Sequence, residues 1–568
     1  MKKKAAWWDN LAKPQYGGEM AFRTTKNIVN WDPYFAELLP QIYTAWMEKL
    51  TAEDWTYNPA EFDYKIVTPS EYMKGHLAVN WEFTDPGIIV LHLRKGVHWQ
   101  DIPPVNGREF TADDVVYHFH RLYGLGSGFT QPAPFHAKVT MFRELISVTA
   151  ADKYTVVFKW NTPNQEFIAE TLIAHYSPTS CIEAREAVEK WGDLNDWHHA
   201  IGTGPFILQD FISGNAATMI KNPNYWGHDE RYPQNKLPYV DKFKIVVIPD
   251  DETALEAMRK GQIDVIDEVT MRQAQSVAKT NPEILQIPVP LGTTNTIDPR
   301  NDKPPFNDIR VRKAMQMALD LPTIARTLYH GTVDPYPSSL TSMYLKGWGL
   351  PYGEWPQDLK DEYAYNPAAA RQLLTDAGYP TGFKTNIVAD AMWDLDILPV
   401  IKTYFADVGI DMDIRIMDAV AWNDFVRIGR KHDQLAYGAG TLGRTHVPFM
   451  QLHRFQTGDL ISNSLMVSDP VFDAFYPRAM AANSTDGVKQ VFRQANEHVA
   501  RQHYAISLLS PKTFSLCQPW VKGYNGQFGA TCGHMGSPQR LFFFPARFWI
   551  DQDLKKRLGH EAFIQNQV

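Results

Sequence analysis

The stretch with the plainest chemical promise is Gly202-Thr203-Gly204, a glycine-rich turn of the sort that can hold a phosphate with backbone N–H groups. A phosphate loop of the P-loop kind would continue into Lys-Ser/Thr and a helix. Here Pro205 and Phe206 follow. Proline has no N–H to offer, and the residues beyond read as a strand, so the turn is expected to be architecture. Asn222-Pro223-Asn224-Tyr225-Trp226 likewise reads as a turn with an aromatic stopper. His118 and His120 would diverge by roughly 200° around a helix and cannot share a metal. His198 and His199 are adjacent in a loop, and spacing supplies no third ligand. Cys181, Cys517 and Cys532 have no zinc spacing and allow at most one disulfide. There is no nucleophile elbow, no HExxH and no distinctive carboxylate pair. No catalysis, metal or cofactor is expected.

The most unusual segment is QLAYGAGTLGRTHVPFMQL, residues 434–452. A strand-like start runs into Gly438, Gly440 and Gly443, then an Arg444-Thr445-His446-Val447-Pro448 loop. Glycines at the end of a strand let another backbone or a ligand approach closely.

These residues need a frame. At 568 residues the chain is too long for one hydrophobic core, so two or three folded units are expected. Apolar residues make up 44% and charged residues 21%, as in a soluble globular protein. The 17 Trp and 25 Tyr are many, and such side chains grip flat or amphipathic ligands. The net charge of −8, with scattered basic residues, carries no nucleic-acid footprint. No apolar run approaches the ~18 residues of a membrane helix. Lys2 to Lys4 imitate a signal peptide, but Trp7, Trp8, Asp9 and Asn10 stand where its apolar core should be.

Strands are read at 20–30, 88–101, 154–160, 217–222, 242–250 and 411–418, and helices at 111–124, 308–320, 366–379 and 397–410. The segment DETALEAMRKGQIDVI reads as a helix closed by Gly261 and followed by a strand. That βαβ rhythm predicts mixed or parallel sheets flanked by helices. From about 513 the chain shows turns and aromatics without a core pattern of its own, and is expected to pack back onto the first unit.

Seven stretches in chain order together resemble a known family: LAVNWEFTDPGIIVLHLRKGVHWQD, GREFTADDVVYHFHRL, IGTGPFILQDF, NPNYW, IPDDETALEAMRKGQIDVI, KPPFNDIRVRKAMQMALD and YNPAAARQLLTDAGYP. They are similar to the peptide/nickel-type solute-binding proteins of ABC importers (family 5, cluster C). The resemblance implies an α/β fold of the type II periplasmic-binding-protein kind, two lobes of mixed sheets with flanking helices. Lobe I would comprise 1–294, with an inserted subdomain about 46–183. Lobe II would be 295–512, and 513–568 would return to lobe I. Segments near Thr294–Asp298 and Ser510–Thr513 would form a hinge, with a small organic solute held between the lobes. The implied partners are that solute and the permease subunits, with no nucleic acid. The implied place is the periplasm or outer face of the cytoplasmic membrane. A leader with a lipid anchor is expected upstream of the lysine-rich start, and a monomer is expected.

Relatives pair the strand end equivalent to 438–442 with ligand backbone, which points to Gly440, Thr441 and Leu442 after Tyr437. A few residues on they hold an amino group with an Asp, and that place falls on Arg444 here. No carboxylate lies between Asp433 and Asp459. A cation there should repel an ammonium and attract a carboxylate or sulfonate. Trp422 matches a pocket tryptophan of oligopeptide binders. Trp393, Asp394 and Asp396 lie in a loop expected to face the same cleft, and Asn30 and Trp31 end the first strand. A carboxylate-bearing or aromatic solute, a short peptide and an oligosaccharide stacked on tryptophan all remain open, as do a hydrolase or a sensor using the same cleft.

Overall fold

A computed structural model describes the chain apart from residues 1–5, 11, 26, 36–44, 63, 66–67, 139–142, 174–180, 291–294, 338–346, 392, 439–447, 460–461, 528–542 and 561–568. The chain forms two compact units, Met1–Val289 with Thr513–Val568, and Pro290–Lys512.

The first unit is built on a seven-stranded mixed sheet in the order Leu285–Pro290, Lys512–Cys517, Val265–Val269, Glu19–Thr24, Lys242–Val247, Ala216–Lys221 and Phe206–Ile212. Glu19–Thr24 runs parallel to both neighbours. The strand expected over 20–30 therefore stops at Thr24, and the chain beyond it leads to Asn30-Trp31-Asp32. Helices Asp251–Arg259 and Met271–Thr280 lay Leu255, Met258, Ala274 and Val277 on the core beside Ile266 and Leu516. The first of these starts at Asp250, whose side chain accepts from Thr253 N at 2.8 Å. It stops just before Gly261, which takes the left-handed φ of +69°. The C-terminal return supplies a strand that its composition does not suggest. Lys512–Cys517 is an internal strand of the sheet, antiparallel to Val265–Val269.

Within this unit lies a four-stranded antiparallel sheet, in the order Ala78–Asp85, Ile88–Leu93, Thr155–Trp160 and Leu145–Asp152. Ile89, Leu91 and Leu93 alternate with half-buried neighbours, the period of two that marks one face against a core. Helix Ala112–Tyr123 packs on the sheet, held by a Thr111/Asp114 capping box and ended by Gly124 at φ +69°. The Gly202–Gly204 turn is also explained here. Gly204 N donates to Trp46 O at 2.8 Å, and Gly202 O accepts from Gln100 N at 2.9 Å. A Cβ on Gly202 would stand 1.8 Å from Trp46 O, so the glycines serve backbone-to-backbone packing.

The second unit carries a five-stranded sheet, in the order Ile410–Met417, Phe383–Asp390, Leu435–Tyr437, Thr296–Pro299 and Ile506–Ser507. The first three are parallel, and Thr296–Pro299 is antiparallel to both its neighbours. Among its helices are Ile309–Met317, Pro367–Asp376 and Ile397–Asp407. The longest, Thr485–Gln502, is capped by Ser484 and buries Val488, Phe492 and Ala495 on one stripe. Among the described residues no helix is long and apolar enough to cross a membrane.

Candidate functional site

In the second unit the three parallel strands end side by side at Asp390, Met417 and Tyr437. Loops leaving the carboxyl ends of parallel strands are where open α/β sheets hold ligands, because the connecting backbone there is free of the ladder. Every described candidate of this unit lies beyond or at one of these ends. Trp393, Asp394 and Asp396 follow the first, Trp422 the second, and Tyr437 closes the third.

Trp393, Asp394 and Tyr437 come together. Trp393 N donates to Asp390 O at 3.2 Å, and its ring meets that of Tyr437 edge-on with centroids 6.3 Å apart. The Tyr437 hydroxyl donates to the Asp394 backbone oxygen at 2.9 Å. Gly438 sits between them at φ +112°, where a Cβ would come within 2.7 Å of Asp390 Cβ. Only glycine lets the chain turn here over its neighbours. Burial raises the Asp394 carboxyl above its ordinary value, although the Tyr329 hydroxyl and the Asp396 N–H both donate to it, at 2.8 and 3.1 Å. Burial and the Asp394 charge push the Tyr329 and Tyr437 phenols upward. The result is a cluster of two neutral phenols around half-buried Asp394, one on its carboxylate and one on its backbone oxygen.

Asp396 is exposed at the start of helix Ile397–Asp407. Trp422 stands apart from this cluster. It is 2% exposed, packs with Val388, Val426 and Ala436, and donates its indole N–H to Val388 O at 3.1 Å. Gly440, Thr441, Leu442 and Arg444 lie outside the described residues, as does Thr294 of the first hinge segment.

In the first unit Asn30 and Trp31 follow the carboxyl end of Glu19–Thr24. Asn30 is held within its own loop, donating to Phe35 O at 2.9 Å and accepting from Asp32 N at 3.0 Å. Trp31 packs edge-on against Phe211, centroids 4.7 Å apart, and near Trp46 at 5.8 Å. Beneath them Asp32 takes both terminal nitrogens of Arg121, at 2.9 and 2.6 Å. Arg121 also reaches Glu183 at 3.3 Å, and the Glu183 carboxylate accepts from the His118 ring. Glu183 is held below its usual range: burial alone would raise it, and His118 and Arg121 more than offset that.

Histidines set aside as metal ligands have internal partners. His120 touches Ser127 Oγ and Val148 O, and His199 stacks on Trp191 at 3.9 Å. Among the described residues no group of three or more His, Cys, Asp or Glu could hold a metal. Cys181 and Cys517 are free and buried, and Cys532 lies outside the described residues. Spacing missed three participants. Tyr329 enters through a contact spanning 65 residues. Asn295 is buried and bonds Tyr437. Gln451, a few residues past the glycine-rich segment in sequence, is buried with neither amide atom partnered among the described residues. No local pattern signals such contacts.

The model of bacterial extracellular solute-binding proteins, family 5 Middle, matches residues 72–459. The chain belongs to this family. It is a solute-binding protein of the ABC-transporter class, with the fold of type II periplasmic binding proteins. Among its relatives, heme-binding protein A of Haemophilus influenzae is 26% identical over 472 residues, 79% of this chain and 81% of that protein. The glutathione-binding protein GsiB of Escherichia coli O157:H7 is 25% identical over 357 residues, 61% of this chain and 62% of that one. Among solved structures, the ABC transporter-associated periplasmic binding protein DppA of Helicobacter pylori, in complex with peptide STSA, superposes with a TM-score of 0.70. Its identity is 21%, with 94% of this chain and 98% of that one covered. The relatives' names are those of binding proteins.

Proposed function

We propose that this protein captures a small carboxylate-bearing organic solute or short peptide outside the cytoplasmic membrane, closes its two units over it, and hands it to the permease of an ABC transporter. The observation that carries the proposal is the placement of candidates from both units beyond carboxyl ends of parallel strands, where such sheets receive ligands. In the second unit the frame is cross-linked: Tyr329 bonds the Asp394 carboxylate and Tyr437 its backbone oxygen, beside the Gly438 turn. The backbone of Gly440, Thr441 and Leu442 then pairs with the ligand, while Trp393 and Asp396 border it and Asn30 and Trp31 face it from the other unit.

Ligand charge is read by Arg444. It stands where relatives keep an amine-binding Asp, in a loop with no carboxylate between Asp433 and Asp459. A guanidinium in a closing, partly dry cleft must be paired, and a ligand carboxylate provides the pair. Heme, glutathione and peptides, which the relatives' names mention, all carry carboxylates. Trp422 is enclosed by its own unit, which favours this reading over a sugar stacked on its ring.

Calorimetry with glutathione and with its dimethyl ester, on wild type and Arg444→Ala, tests the proposal. Losing a charged hydrogen bond weakens the acid by ~1.5–3 kcal/mol, about one to two decades in Kd, and leaves the ester unchanged. An equal loss for both, or none, refutes the role of Arg444. Mass spectrometry of solutes released from the denatured protein identifies the natural ligand.

A further inference from the structure

The first unit also contains a cavity of about 390 Å³ that the transport reading does not use. Its walls are aromatic: Trp7, Trp55, Tyr57, Tyr64, Tyr524 and Trp549. They come from the N-terminal segment, the chain around the short strand Thr51–Glu53, and the C-terminal return, so the cavity belongs to this unit alone. Its place in the sheet also separates it from Asn30 and Trp31. Trp549 adjoins Ile550, whose side chain packs on Gly18 just before Glu19–Thr24, while Asn30 and Trp31 follow that strand's other end.

Its electrostatics are one-sided. Arg231 and Lys522 line it, and no carboxylate does among the described residues. Arg231 lies with its guanidinium carbon 5.1 Å from the Trp55 ring and 5.9 Å from the Trp549 ring, two of the cavity's own walls. Its Nε and Nη2 engage Asp229 at 3.0 and 2.8 Å. Nη1, on the edge away from that carboxylate, is buried with no partner among the described residues. Asp229 balances the charge of Arg231, and the two N–H groups on Nη1 remain as donors at the wall. Lys522 is half-buried and gives one N–H to Pro519 O at 2.7 Å, which leaves two further donors on the ammonium. Asn525 and Gln527 add amide groups near it.

We propose that this cavity is a second binding site, for a small flat aromatic carboxylate whose ring lies among the Trp and Tyr walls and whose carboxylate meets Lys522. The volume falls within the range of small-molecule sites, and the mix of aromatic walls with a few polar groups is what such sites use to fix orientation. Aromatic faces and edges supply the stacking, and the cations select the acid over its neutral analogue.

The test uses 2-naphthoate and 2-naphthamide on the full chain labelled with 5-fluorotryptophan, with the Trp7 resonance assigned through Trp7→Phe. The expected result is a saturable shift of the Trp7 resonance and one calorimetric site for the acid. Lys522→Met should weaken the acid by about tenfold and leave the amide unchanged, the worth of one charged hydrogen bond. Tyr57→Ala, at the half-buried part of the wall, should weaken both several-fold, and unchanged melting of each variant confirms its fold. No saturable shift of Trp7 at millimolar ligand, or equal binding of acid and amide by wild type, overturns the proposal. Neither outcome bears on the solute carried by the transporter, because Trp7 lines this cavity and the transported solute is followed separately through Arg444→Ala.

Discussion

Arg121→Met should be among the most damaging single substitutions in the first unit. Arg121 is 2% exposed and is the cation between two fully buried acids, Asp32 and Glu183. The Tyr34 ring lies 4.5 Å from its guanidinium carbon, so its face is also packed. Removing one partner of such a group leaves uncompensated charge in the interior, which costs about 3–5 kcal/mol. Asp32 accepts the Tyr34 N–H on one oxygen and the Leu194 N–H on the other, at 2.9 and 3.0 Å, so an Asn in its place keeps one of these bonds and loses its charge. The double variant Arg121→Met, Asp32→Asn should therefore recover part of the loss, the part due to the stranded Asp32 charge. The pH dependence is a second signature. Glu183 has its folded pKa depressed, so it contributes stability above its unfolded value that is lost as pH falls through the folded one. Without Arg121 that contribution shrinks, and the gap between variant and wild type narrows in acid. Urea unfolding followed by circular dichroism between pH 4 and 8 reads both effects. A loss below about 1 kcal/mol, the worth of an exposed pair, would show that the network is not the support of the Asn30–Trp31 loop inferred here.

Gly202→Ala forces a Cβ to 1.8 Å from the Trp46 backbone oxygen, so it should cost about 3 kcal/mol or more, read as a fall in thermal midpoint with no change in phosphate binding. His432 is fully buried, and burial depresses its pKa from 6.5 to about 4. Its contribution is complete above the unfolded value and is lost as pH falls through the folded one. Across that window the wild type should lose ~3 kcal/mol that His432→Gln does not, measured by unfolding at pH 7 and at pH 4.

What could be read from the sequence was local. Thr111 with Asp114, Asp250 with Thr253 and Asn366 with Ala369 are caps formed within one turn, and Gly124, Gly261 and Gly378 stop their helices through positive φ. Alternation in sequence marked the strand at 411–418 for the same reason, because side-chain direction follows from the strand itself. Pairing between distant segments has no such signature. Lys512–Cys517 starts with half-buried residues and gains its place only by joining Val265–Val269, about 250 residues earlier in the chain. Leu435–Tyr437 is three residues long, too short for a period, and is a strand because Phe383–Asp390 and Thr296–Pro299 flank it. The candidate site divides the same way. Gly438 was visible as one of a run of glycines, but Tyr329 and Asn295 were not. Trp422 shows the converse: its match to a pocket tryptophan of oligopeptide binders suggested a ligand wall, and in the structure its N–H bonds Val388 O and its ring packs with the residues around it.

That division explains why family membership settles the frame and leaves the ligand to experiment. Groups at the described strand ends answer one another: buried Asp32 with buried Arg121, and half-buried Asp394 with Tyr329 beside Tyr437. Changing any one of them strands a partner, so such sets are costly to vary singly. Arg444 lies outside the described residues, and its proposed partner is the ligand and not the fold. On that proposal the charge at one loop position sets which end of a solute is gripped, while the scaffold is the family's. The acid-against-ester comparison at Arg444 isolates that one position, and unfolding of Arg121→Met isolates the frame. If Arg444→Ala lowered stability as Arg121→Met is expected to, the guanidinium would be paired within the protein, and the solute would have to be neutral at that end.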